Sequence, residues 1–161
     1  CGMTDVGHDV LAPDRIAGLR AGNRAAVRAA IDGVPRSDLA AWLGTADGAE
    51  VLHDAFRRMP DFYVPGLIDR RVVARWRVRR PPAEPIGYDL VLEPDGCRVR
   101  AVDTAEPATV TLLFDAAGFV EMASAARRGV DLMVLGYLRI QGDVQTAMRM
   151  ERMFGLDGGG R

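Results

Sequence analysis

The sequence predicts an α+β fold, a mainly antiparallel sheet with helices packed over one face. Three observations lead there. Residues 72–100 alternate apolar and polar side chains in short runs separated by turn signals. Residues 13–32, 47–59 and 115–128 instead repeat apolar side chains at helical spacing. The stretch "MVLGYLRIQGDVQTAMRMERMF" (133–154) changes from a strand's period to a helix's at Gly142–Asp143.

Ile16, Leu19, Ala26, Val27, Ala30 and Ile31 place a helix over 13–32, with Pro13 in its first turn and Gly33 as its stop. Ser37 is expected to cap a short helix running through Trp42 to Gly44. Asp47 with Glu50 resembles a capping box, the hydroxyl replaced by a carboxylate. The helix it starts carries Val51, Leu52, Ala55, Phe56 and Met59 on one face, and Pro60 ends it. His53 lies beside that face.

The loop "PDFYVPG" leads into "VVARWRVRR", where Val72, Ala74, Trp76 and Val78 oppose Arg75, Arg77 and Arg79. "RPPAEP" reads as a loop, because proline cannot donate to a ladder. In "IGYDLVLEPDG", Tyr88, Leu90 and Leu92 oppose Asp89 and Glu93, and Pro94-Asp95-Gly96 turns the chain into "CRVRAVD". The polar face of this antiparallel meander holds five arginines (75, 77, 79, 98 and 100). Two readings stand: an anion patch, or arginines paired across strands with Asp89 and Glu93. No aromatics interleave with them to stack on bases.

"ATVTLLF" is a further strand, and Asp115 caps a helix bearing Phe119, Met122, Ala123 and Ala126. Arg127 and Arg128 suit its C-terminal dipole and Gly129 ends it. After "VDLMVLG" come the strand "YLRIQG", a last helix capped by Asp143, and a flexible tail at 155–161.

The 161 residues suit one domain, and with no composition shift and no repeat nothing marks a second. Net charge is -1, which disfavours nucleic acid. No apolar run reaches the ~20 residues of a membrane span, and no basic-then-apolar leader is seen, so a cytoplasmic setting is expected. All 21 basic residues are arginine, which excludes a lysine Schiff base and a phosphate-loop lysine and fits a GC-rich bacterial genome. Cys1 and Cys97, His8 and His53 supply no metal site at usable spacing, so neither metal nor cofactor is expected.

From about Asp47 to Phe154 the chain resembles the sterol carrier protein (sterol-binding domain) family. The resemblance rests on "ARWRV", on "ATVTLLF" running into "DAAGFVEMASAARRG", and most of all on "LGYLRIQGDVQTAMRM". It implies a five-stranded sheet with helices enclosing an apolar tunnel, and a non-catalytic carrier of a fatty acid, acyl-CoA, sterol or phospholipid. The family's usual lysine pair in the last strand is here Tyr137 and Arg139. Residues 1–46 are then a helical extension on a lipid-binding domain of 47–154.

Methionines 122, 133, 148, 150 and 153, adaptable side chains used where a surface must re-pack, flank the expected cavity. The expected apolar lining is Met59, Phe62, Trp76, Leu90, Leu92, Phe114, Phe119, Met122, Met133, Leu138, Ile140, Met148 and Phe154, with Arg75, Tyr137 and Arg139 as headgroup candidates. Two alternatives stay open. One is an enzyme drawing on Asp103, Glu121, Tyr137 or His53. The other is an interaction module with a vestigial cavity. Docking on a membrane or another protein, and monomer against homodimer, are left open as well.

Overall fold

The structure, a computed structural model, describes residues 11–156; Cys1, His8 and the tail beyond residue 156 lie outside the described residues. The strands are β1 (Val72–Arg80), β2 (Ala83–Glu93), β3 (Gly96–Arg100), β4 (Val110–Asp115) and β5 (Leu138–Gly142). They form one sheet in the order β3-β2-β1-β4-β5. The helices are α1 (Pro13–Ala21), α2 (Arg24–Ile31), α3 (Arg36–Leu43), α4 (Ala46–Arg58), α5 (Ala116–Ala123), α6 (Gly129–Leu135) and α7 (Val144–Met153). A 3-10 turn, Met59–Phe62, follows α4.

Pairing is antiparallel except between β1 and β4, so the sheet is mixed but mostly antiparallel. The register lines up Tyr88, Trp76, Leu112 and Ile140 in one row, and Ile86, Val78, Phe114 and Leu138 in the next. Since side chains alternate across a strand, these rows share the face that the helices cover. At its centre Trp76 stacks on Phe114 (5.5 Å between centroids), and Phe56 stacks on Phe119 (4.8 Å). Phe56 and Phe119 each meet Trp76 edge-on.

The opposite face is where the arginines sit, and the cross-strand reading holds for Arg75, Arg98 and Arg100, while Arg77 and Arg79 are exposed. Arg75 donates from Nε to Asp89 (2.8 Å), Arg100 reaches the same carboxylate (3.4 Å), and Arg98 pairs with Glu93 (3.4 Å). This face is not simply solvated. The chain from β3 to β4 crosses it, and Arg75 also donates to the carbonyls of Asp103 and Glu106 while the Asp103 N–H donates to Asp89. Asp89 is fully buried beneath that crossing.

Several local expectations are corrected. The helix over 13–32 is two helices, broken at Gly22 (φ +78°), where Asn23 caps α2. Thr45, not Asp47, caps α4, its hydroxyl accepting from the Gly48 N–H; Asp47 sits in the first turn, still favourable to the helix dipole. Pro35, not Ser37, precedes α3. The proline-rich loop shrinks to a turn at Pro81-Pro82, and Pro85 lies in β2. There β3 no longer pairs with β2, so no donor is missed on that side. Gly129 opens α6 rather than ending α5, and Met133 is helical. Arg127 and Arg128 lie in the connection, paired with Glu121 and Glu151. Asp115 and Asp143 cap α5 and α7 as expected, and Gly142 adopts φ +95° between β5 and α7. Leu156, placed in the tail by the sequence, is buried.

Cys97, on β3, is half-buried, and burial pushes its thiol up to about 12. The thiolate is the nucleophile. Alkylation by iodoacetamide at neutral pH is therefore expected to be slow in the folded protein and to accelerate at least tenfold in denaturant, followed by mass spectrometry.

Candidate ligand cavity

A cavity of about 240 Å³ opens beside the aromatic centre rather than through it. Its walls are α1 and α2 (Leu19, Val27), α4 (Val51, Leu52, Ala55), α5 (Phe119, Val120, Met122), Trp76 of β1, and Phe154 with Leu156 after α7. A second void of about 20 Å³ lies toward α6 and α7, among Leu112, Met133, Leu138, Ile140, Met148 and Met150. Trp76, Met122 and Leu156 border both.

The expected lining is thus divided. Met59, Phe62, Trp76, Phe119, Met122 and Phe154 meet at the larger cavity. Met133, Leu138, Ile140 and Met148 surround the small void, where Met148 is largely exposed. Leu90, Leu92 and Phe114 are fully buried core side chains that line neither. The interior is therefore solid where the aromatics meet, and the hollow is displaced toward the N-terminal helices. The physical cause is the crossing of α1 and α2 over α4 and α5. Small residues (Ala55, Ala123) line the seam and leave it unfilled.

None of the three headgroup candidates borders the larger cavity. Arg75 is on the far face of the sheet, bound to Asp89. Arg139 alternates with Leu138 and points away from the helical layer, exposed. Tyr137 lies under Arg36, whose guanidinium carbon is 3.3 Å from the ring centroid. The polar groups at the cavity are others: Arg20, Asn23, Arg24, Glu50, Asp54, Arg58 and Ser124. Arg20 pairs with Asp47 and Glu50, and Asp54 with Arg57. Among the described residues, Arg24 and Arg58 have no carboxylate partner. Arg24 donates to the carbonyls of Phe154 and Gly155 and stacks over Phe62 (4.9 Å), and desolvation by burial lowers its guanidinium from the ordinary arginine range. Arg58 donates to the Ala21 carbonyl (3.1 Å) and packs against Gly22, where a Cβ would meet its Nη1 at 1.7 Å. Sequence reading passed over these two because one lies in the segment taken as an extension and the other flanks an apolar helix face.

The acid–base candidates fall elsewhere. Asp103 belongs to the crossing over the far face, and His53 Nδ1 shares a 2.7 Å hydrogen bond with the Tyr88 hydroxyl. Glu121 and Tyr137 do come together, but around Arg36, which also grips Asp115 and so ties α3 to the start of α5.

Comparison with family models gives one match. The profile of the SCP-2 sterol transfer family matches residues 71–155, from the start of β1 to the end of α7. Among curated proteins none matches the chain. Sterol carrier protein 2 from Yarrowia lipolytica is similar at 17% identity, over 55% of this chain and 70% of that one, with a TM-score of 0.47. A sterol carrier protein-2 like-3 from Aedes aegypti is similar at 14% identity, over 66% and 96%, with a TM-score of 0.47. The MycE methyltransferase of mycinamycin biosynthesis is similar in fold at 11% identity and a TM-score of 0.54, over 89% of this chain but 36% of that one.

Proposed function

This chain belongs to the SCP-2 sterol transfer family, whose members bind and transfer hydrophobic lipids, and from that premise we propose a non-catalytic carrier that holds a single-chain acid, such as a fatty acid, in the cavity between α1–α2, α4 and α5. The observation that carries this reading is the pairing of an apolar hollow with two arginines, Arg24 and Arg58, that no described carboxylate neutralises. An acyl chain leaving water gains about 0.8 kcal/mol per methylene, and ordering the chain and its surroundings subtracts several kcal/mol. At about 240 Å³ the hollow is slightly below the roughly 300–1,000 Å³ of drug-sized pockets, so short chains fit first. Longer ones require Met59 and Met122 to swing aside, which unbranched thioethers do readily. Weak discrimination between neighbouring chain lengths follows, since each methylene changes the energy so little.

Displacement of a fluorescent fatty acid is expected to give micromolar binding of decanoic acid. Ala55→Trp fills the seam and should weaken that binding at least tenfold while circular dichroism still reports a cooperatively folded protein. A wild-type protein that takes up no chain would end the carrier reading.

A further inference from the structure

The helical layer carries an apolar strip that the fold does not bury. Of the eight large apolar side chains exposed among the described residues, five fall on α6 and α7: Val130, Val134, Leu135, Val144 and Met148. Val134 is 82% exposed, and valine is a mediocre helix former, so neither packing nor propensity accounts for it. Val130 with Val134, and Val144 with Met148, are four residues apart and share a helix side. The two helices are tied where the Gly129 N–H donates to Glu151 (3.0 Å) and Arg128 approaches the same carboxylate (3.9 Å). Val130, Met133, Ala147 and Met148 line one small void, so the two rows adjoin there. Together they make a patch of roughly a few hundred Å², a size that on a single chain is often functional.

The charges beside the strip say what covers it. Arg128 and Arg149 stand exposed, and so do Asp131 and Asp143, each within two residues of a strip side chain. An anionic membrane attracts a basic surround, and this one is mixed. We propose that the α6–α7 strip is a two-fold interface between two copies of this chain. In such an interface one patch meets itself, so arginine and aspartate on one rim each find the opposite charge on the other. A standard interface removes about 800 Å² from each partner, little more than half of it apolar, and the strip supplies aliphatic surface on that scale. It is too small for an obligate dimer, whose interfaces exceed roughly 2,000 Å² in total, so a micromolar equilibrium is expected. The partner copy then covers Val130 and Met148, the exposed wall of the small void. None of the five side chains lines the larger cavity, so dimerisation and ligand uptake are separable.

The test is sedimentation velocity on the full chain, over about 1 to 200 μM, for wild type and Val134→Arg. Wild type is expected to pass from monomer to dimer with a Kd on the order of 10 μM. Val134→Arg suits the last turn of α6 but sets an unpaired charge into the apolar centre of each half. It should stay monomeric throughout, with an unchanged circular dichroism spectrum. Should it fail to fold, Val134→Ser removes only the exposed methyl groups and should weaken the dimer about tenfold. A wild type that is monomeric at every concentration would overturn the inference. So would a dimer that both variants leave intact, because another surface would then hold it. Monomers that instead cosediment with phosphatidylglycerol vesicles, and lose this in Val134→Arg, would overturn it in favour of a membrane face.

Discussion

Asp89→Asn is expected to destabilise the protein by about 3 kcal/mol, the lower end of what breaking a buried ion pair costs. The side chain is 0% exposed and holds Arg75, Arg100 and the Asp103 N–H together. Both arginines keep some contact with water (19% and 26% exposed), which places the effect at that lower end. Asparagine has nearly the same shape, so the loss comes from charge and from one misplaced amide rather than from a void. The pH dependence has a definite sign. Burial pushes the Asp89 carboxyl up, but hydrogen bonds from Arg75, the Asp103 N–H and Arg100, with the Arg75 charge, outweigh it and hold the group below its ordinary value of 3.8. A depressed folded-state value means stability that is present above the unfolded value and lost as pH falls through the folded one. Urea unfolding at pH 7 should therefore show the full difference between wild type and variant, and the gap should close below about pH 4. A difference that persists unchanged into acid would mean that the carboxylate charge is not what binds the crossing to the sheet.

Phe56→Ala should cost about 3–5 kcal/mol. The ring is fully buried and meets Phe119, Tyr88 and Trp76, so it joins α4 to α5 and to two strands at once. Its removal leaves a hole next to Leu52 and Ala55, which already face the cavity. The same change that weakens the fold should thus enlarge the hollow. Saturating decanoic acid is expected to raise the thermal midpoint of Phe56→Ala by more than that of wild type. Equal shifts would show that the hole is sealed off from the ligand.

Much of the architecture was legible because it depends on neighbours in sequence. Asp115 and Asp143 announced their helices, Pro94-Asp95-Gly96 its hairpin, and Asp89 its place opposite Arg75 and Arg100. Local patterns misled where two signals compete over a few residues. Thr45 and Asp47 both make good caps, and the hydroxyl two residues earlier prevails. Residues 129–135 carry few polar side chains, so helix and strand leave the same trace. The hollow was not legible at its true place. Apolar spacing marks which side chains turn inward, not which inward-turned side chains fail to touch. That failure arises where α1 and α2 cross α4 and α5, a long-range meeting that also brings Arg24 to Phe154.

The strand order has one more outcome. β3 and β5 form the two rims of the sheet, five residues each, with Arg98 and Arg100 on one and Arg139 on the other. Rims this short give an incoming chain too little backbone to grip, and their long charged side chains, ion-paired on β3 and exposed on β5, crowd its approach. Sideways accretion into fibres is thereby opposed at both margins, and the sheet ends at its fifth strand.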